Sequence, residues 1–168
     1  MMSSSSRNLL LGAGGLWGFV LALVPAEAAF AGSLRLSPFL VTALVCAALS
    51  GAAGTWVAGW WASRKLRFRK ESGWPGWLLS GFTTGLLQAV AVGVLAALSI
   101  WLAMTITMSG FSAATPSAIY SLVAQPSIFL QSAIVGRTVF FYALLVGIAL
   151  APLTGLAINR VVDRKAPE

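Results

Sequence analysis

Residues 38–108 read PFLVTALVCAALSGAAGTWVAGWWA (38–62), SRKLRFRKESG (63–73) and WPGWLLSGFTTGLLQAVAVGVLAALSIWLAMTITM (74–108). The outer two pieces are long apolar runs. The piece between them holds Arg64, Lys65, Arg67, Arg69 and Lys70. About 20 apolar residues in helical form cross the ~30 Å hydrocarbon layer of a bilayer, and basic residues collect on cytoplasmic loops. Two spans around a basic loop therefore predict a membrane hairpin with residues 63–73 in the cytoplasm. Trp60 and Trp61 close the first span, and Trp74 and Trp77 open the second. Four indoles at the mouths of one loop fit the aromatic belt of a membrane interface.

The totals agree with that hairpin. Of the 168 residues, 58% are hydrophobic and 9% charged, with a mean hydropathy of +0.89. A water-soluble domain of this size cannot bury such a share, so residues 1–168 read as a single membrane domain. The net charge of +7 would suggest nucleic acid in a soluble protein. Here the basic residues adjoin the apolar runs, so they read as topology signals and no nucleic-acid partner is expected. The chain has no histidine, and Cys46 is its only cysteine. An internal disulfide, a cysteine metal cluster, His-ligated haem and His-based acid–base chemistry are thereby excluded.

Upstream, Arg7 precedes an apolar run that reaches Phe30. Two readings fit it. One is a first span over about residues 9–30. The other is a cleaved signal peptide, with Arg7 as its basic start and Ala26-Glu27-Ala28 or Ala29-Phe30-Ala31 as its small-x-small site. The retained span gives four helices and the cleaved signal three.

Downstream, the second long run should cross over 77–101 and continue as helix to 108. From 77 to 108 is about 48 Å of helix at 1.5 Å per residue, longer than the hydrocarbon requires. Trp101 marks the expected outer boundary. Residues 109–136 form an outer segment, with a short helix expected at Ser117–Ala124. Pro126 can restart the chain, so a last helix should begin near 127 and cross over 138–158, with Pro152 inside it. With both termini inside, Arg7, the five loop residues, Arg160, Arg164 and Lys165 put nine cations on the cytoplasmic side, against Arg35 and Arg137 outside. The expected placement is multi-pass in a cell membrane of bacterial inner-membrane type, with a cytoplasmic C-terminus.

Each span carries small residues at steps of four: Gly14, Gly18, Ala22 and Ala26; Ala43, Ala47, Gly51, Thr55 and Gly59; Gly81, Gly85, Ala89, Gly93 and Ala97; Ala143, Gly147, Ala151 and Gly155. Residues at i and i+4 share a helix face. Small side chains there let backbones approach, which is how helices associate in lipid. The expected fold is an all-α four-transmembrane-helix bundle with small-xxx-small packing, of glycine-zipper type. Its second and third spans should meet most closely at Gly51 and at Gly85 or Gly93.

Candidate chemistry is sparse. Glu27 is the one acidic residue in or near a span, and Gln88 lies mid-span with Thr83 and Thr84 one turn earlier. Intramembrane polar groups are functional candidates. For Glu27 the bland alternative is an interfacial or signal-peptide residue, and for Gln88 an interhelical hydrogen bond. Asn159 and Thr154 lie near the cytoplasmic end of the last span and are expected at the interface. Arg64, Lys65, Arg67, Arg69 and Lys70 could contact anionic lipid or an acidic partner, or simply fix topology. The apolar helix ends outside the membrane call for a cover, so Tyr120, Phe129 and Arg137 are expected to form a partner-docking surface.

Acid–base or metal chemistry needs clustered carboxylates, His or Cys, so no enzyme is expected. The reading that follows is a non-catalytic small subunit or assembly factor of a larger membrane complex, with membrane lipids and other membrane subunits as partners. A small transporter or channel component working as a homo-oligomer is the alternative. No cofactor is assigned, since a pigment, quinone or lipid would need few polar groups to hold it.

Overall fold

Apolar side chains run around every face of these segments rather than along one stripe, the pattern of a helix with lipid on one side and other helices on the rest. The computed structural model describes residues 4–29, 38–65, 73–108 and 126–163, and all of them are helical. They form α1 (Ser4–Ala29), α2 (Pro38–Lys65), α3 (Gly73–Met108) and α4 (Pro126–Asp163). Proline opens both α2 and α4, at a position where its missing N–H costs no helical bond. Gly73 opens α3 at φ +64°, in the left-handed region that glycine enters without a Cβ clash. The four helices contain segments long and apolar enough to cross a membrane: Ser4–Leu23, Val41–Arg64, Gly73–Ala103 and Ala133–Asp163. At 1.5 Å per residue, the 36 residues of α3 and 38 of α4 extend about 54 and 57 Å.

Neighbouring helices run antiparallel. The start of α1, the end of α2, the start of α3 and the end of α4 meet at one end of the bundle. There Leu10, Ala58, Ala62 and Ile158 form a buried cluster, and the Ser6 hydroxyl donates to the Val161 carbonyl at 3.4 Å. The most extensive seam joins α3 to α4, followed by α1–α2 and α2–α3.

The interior is made of small residues and the exterior of large ones. Ala47, Ala58, Ala89, Ala96, Ala143 and Ala151 are buried, together with Ser50, Thr55, Ser80, Thr84, Gln88 and Asn159. Leu16, Leu49, Leu145 and Leu153 are about two-thirds exposed, at 68%, 66%, 69% and 68%. Water-soluble domains bury most of their leucines and leave most of their serines, threonines, asparagines and glutamines at the surface.

Glycines set the closest approaches. A Cβ added to Gly14 would lie 2.6 Å from the Gly51 carbonyl oxygen, and one on Gly18 would lie 2.9 Å from the Gly51 Cα. On the other side of the bundle, a Cβ on Gly85 would fall 2.7 Å from the Ala151 Cα, and one on Gly155 would fall 2.5 Å from the Gly85 nitrogen. This changes the expected pairing. Gly51 faces α1 rather than α3, and Gly85 faces α4 rather than α2. Gly93 looks toward the Phe140 ring at 3.4 Å, an ordinary contact. The seam between α2 and α3 is closest at Gly54, where an added Cβ would meet Val92 Cγ2 at 2.6 Å. The physical reason is rotational. A stripe of small residues has the same composition whichever neighbour it meets, and Gly54 lies three residues from Gly51 on the adjoining face.

Candidate functional site

Ser80, Thr84 and Gln88 succeed one another at steps of four on α3 and therefore line one face. All three are buried, Thr84 completely. The same stripe continues through Val92, Ala96 and Ile100, also buried. The inward face of α3 is thus polar in the half nearer the basic end and apolar beyond it. At 1.5 Å per residue, Gln88 lies about 16 Å along the helix from Trp77.

Partners come from both flanking helices. Asn159 of α4, 1% exposed, bridges two turns of α3. Its Oδ1 accepts from the Thr84 hydroxyl and its Nδ2 donates to the Ser80 Oγ, each at 3.1 Å. The short asparagine side chain reaches α3 because Gly81, Gly85 and Gly155 bring the two backbones together beside it. One turn deeper, Gln88 Nε2 donates to Thr55 Oγ1 of α2 at 2.8 Å. Thr55 also stands against Gly14, where an added Cβ would lie 2.6 Å from the Thr55 Cβ. Farther along the same seam, Ser50 Oγ donates to the Cys46 carbonyl at 2.7 Å and lies 3.1 Å from Ser99 Oγ.

Hydroxyls and carboxamides carry no charge near neutral pH. What such a set does in a low-dielectric interior is hold helices in register, since an unmet partner there is costly. Interhelical hydrogen bonds in membranes average about 0.6 kcal/mol and reach about 1.7. Among the described residues, no group of three or more His, Cys, Asp or Glu could hold a metal ion.

The residues singled out from sequence fall in several places. Gln88 and Thr55 meet each other inside the bundle. Gly59 lies against Leu10, Gly81 against Leu156, and Gly147 against Ala89, where an added Cβ would sit 2.5 Å from the alanine Cβ. Arg64 is exposed, its guanidinium 3.8 Å from the centre of the Trp60 ring. Arg137 is exposed and lies 5.6 Å from the Phe141 ring centre. Lys65, Glu27 and Phe129 lie on helices, but their side chains are outside the described residues, as are Arg67, Arg69, Lys70, Tyr120 and the segment 117–124. Trp101, expected at the outer boundary, is half-buried beside Gly136, where an added Cβ would lie 3.3 Å from the Trp101 Cβ.

Asn159, expected near the cytoplasmic end of the last span, is buried between α3 and α4. Thr154 is half-buried, and its hydroxyl donates to the Leu150 carbonyl of its own helix at 3.2 Å. Ser80 escaped notice because a lone serine in an apolar helix normally bonds its own backbone. Its spacing to Thr84 and Gln88 is the signal that could have found it. Comparison with known protein families, with curated proteins and with solved structures gives no match to this chain.

Proposed function

We propose that this chain is a multi-pass membrane protein that serves as a non-catalytic subunit or assembly factor of a larger membrane complex. One observation carries the reading. The buried polar side chains bond to one another across helix seams, while large apolar side chains cover the outside. A bundle that uses its polar groups to fix its own register offers neighbours a rigid apolar surface, suited to lipid and to other membrane helices. Catalysis needs titratable groups converging on a reactive position, and neither Gln88 nor Asn159 can act as acid or base at physiological pH.

The test is native mass spectrometry of the affinity-tagged chain extracted in mild detergent. The expected result is a stoichiometric assembly with at least one different membrane chain. A pure homo-oligomer that conducts ions or solutes in proteoliposomes would replace this reading with the transporter alternative. The nine-to-two distribution of cations favours a cytoplasmic basic end. In a Cys46→Ser background, Ser72→Cys should be labelled only from the cytoplasmic side, and labelling from outside would reverse the orientation.

A further inference from the structure

The basic end of the bundle gathers guanidinium groups from three helices. Arg7 lies in the first turn of α1, Arg64 at the end of α2 and Arg160 in the last turn of α4, and all three are exposed. They come from distant parts of the chain, and the antiparallel packing brings them to one end. The Ser6–Val161 bond ties the turn that carries Arg7 to the turn that carries Arg160. Asp163 is the one described carboxylate at this end, so positive charge prevails there.

The indoles add a second, independent observation. Trp74 and Trp77 at the start of α3 are exposed and stack with ring centres 5.7 Å apart. Trp60 is 43% exposed and holds the Arg64 guanidinium 3.8 Å above its ring. An exposed indole settles where apolar and wet surroundings meet. A guanidinium fixed on its face is held at that same depth, where lipid phosphates lie. Its planar fork of donors matches a phosphate with two parallel hydrogen bonds.

We infer that this end of the bundle is an anionic-phospholipid interface, at which Arg7, Arg64 and Arg160 engage headgroup phosphates while Trp60, Trp74 and Trp77 seat at the acyl boundary. The inference rests on the membrane placement proposed above and adds a lipid preference to it. Each arginine near the surface favours anionic lipid about fivefold.

The experiment reconstitutes the full chain in phosphatidylcholine vesicles doped with brominated phosphatidylglycerol or, separately, with brominated phosphatidylcholine at the same mole fraction. Bromine near the headgroup end of the acyl chains quenches adjacent indoles. The expected result is stronger quenching by the anionic lipid, weakened by salt. The preference should fall at least about tenfold in Arg7→Gln/Arg64→Gln/Arg160→Gln, in which the loop and tail cations remain, and persist in full in the corresponding lysine triple variant. All three positions are exposed, and an unchanged thermal midpoint in detergent certifies the fold of each variant. Equal quenching by both lipids, or a preference undiminished in the glutamine triple variant, overturns the inference. So does a preference abolished by inorganic phosphate but not by chloride at equal ionic strength, which would mark a site for the free anion. If neither brominated lipid quenches, the membrane placement itself has failed, an outcome distinct from loss of the preference.

Discussion

Asn159 ties α4 to α3 through its side chain. It makes two side-chain bonds across the seam, to Thr84 and Ser80, in a place closed to solvent. Replacing it with leucine removes both bonds and crowds a seam set by glycines. The two hydroxyls left behind can turn to their own helix carbonyls, which limits the loss. Asn159→Leu should therefore lower stability in detergent by about 1–2 kcal/mol, whereas Asn8→Leu, at an exposed position of α1, should stay within about 0.5 kcal/mol. Adding Thr84→Val to Asn159→Leu should cost less than the sum of the two single changes, because both remove the same bond. Reversible unfolding in mixed micelles measures all four. Additive losses, or an Asn8 effect as large as that of Asn159, would show that the network is incidental. Gln88 could be recognised from sequence because an amide in the middle of an apolar run stands out. Asn159 could not, because its burial depends on which helix packs over the end of α4.

At the scale of the helix, glycines separate two kinds of position that look alike in sequence. Gly12 has nothing within 4 Å of an added Cβ, while Gly18 and Gly155 would drive one into the backbone of a neighbouring helix. Gly12→Ala should be neutral or stabilising by about 0.5–1 kcal/mol, since alanine is the better helix former. Gly18→Leu should part α1 from α2, and Gly155→Leu should part α3 from α4. Each should cost about 2 kcal/mol or more through lost contact. Thermal unfolding in detergent checks these changes, and equal midpoints for all three variants would remove the close-approach argument. The helical class and the long apolar helices were legible in the sequence because apolar runs separated by polar or proline-bearing segments have few alternatives, while the first run could be read as a span or as a cleaved signal. The pairing of the small-residue stripes was not. Gly51 could have faced α3 as well as α1 by composition, and only the three-dimensional arrangement turned it toward Gly14 and Gly18. Thr55 shows the same limit from the other side, since it stands against Gly14 and also accepts from Gln88.

Among the described residues, alanines, glycines and bonded polar groups fill much of the interior beside Leu10, Leu21 and Ile100, while many leucines lie exposed where a soluble bundle would carry polar side chains. In water this surface would be strongly unfavourable, at about 25 cal/mol for each Å² of apolar area left exposed. Around a lipid-facing bundle it costs nothing. The account therefore stands or falls on what surrounds Leu16, Leu49, Val90 and Leu145, one exposed residue near the middle of each apolar segment. The direct measurement places a nitroxide at each of these positions in turn, by cysteine substitution in a Cys46→Ser background. The labelled chain is then reconstituted in vesicles, and collision rates with oxygen and with a water-soluble nickel chelate are compared. Oxygen concentrates in the hydrocarbon and the chelate is excluded from it. High oxygen and low nickel accessibility are expected at all four sites. Nickel accessibility at these positions matching that of a label at Ser72, in the basic stretch between the second and third apolar runs, would overturn the membrane placement.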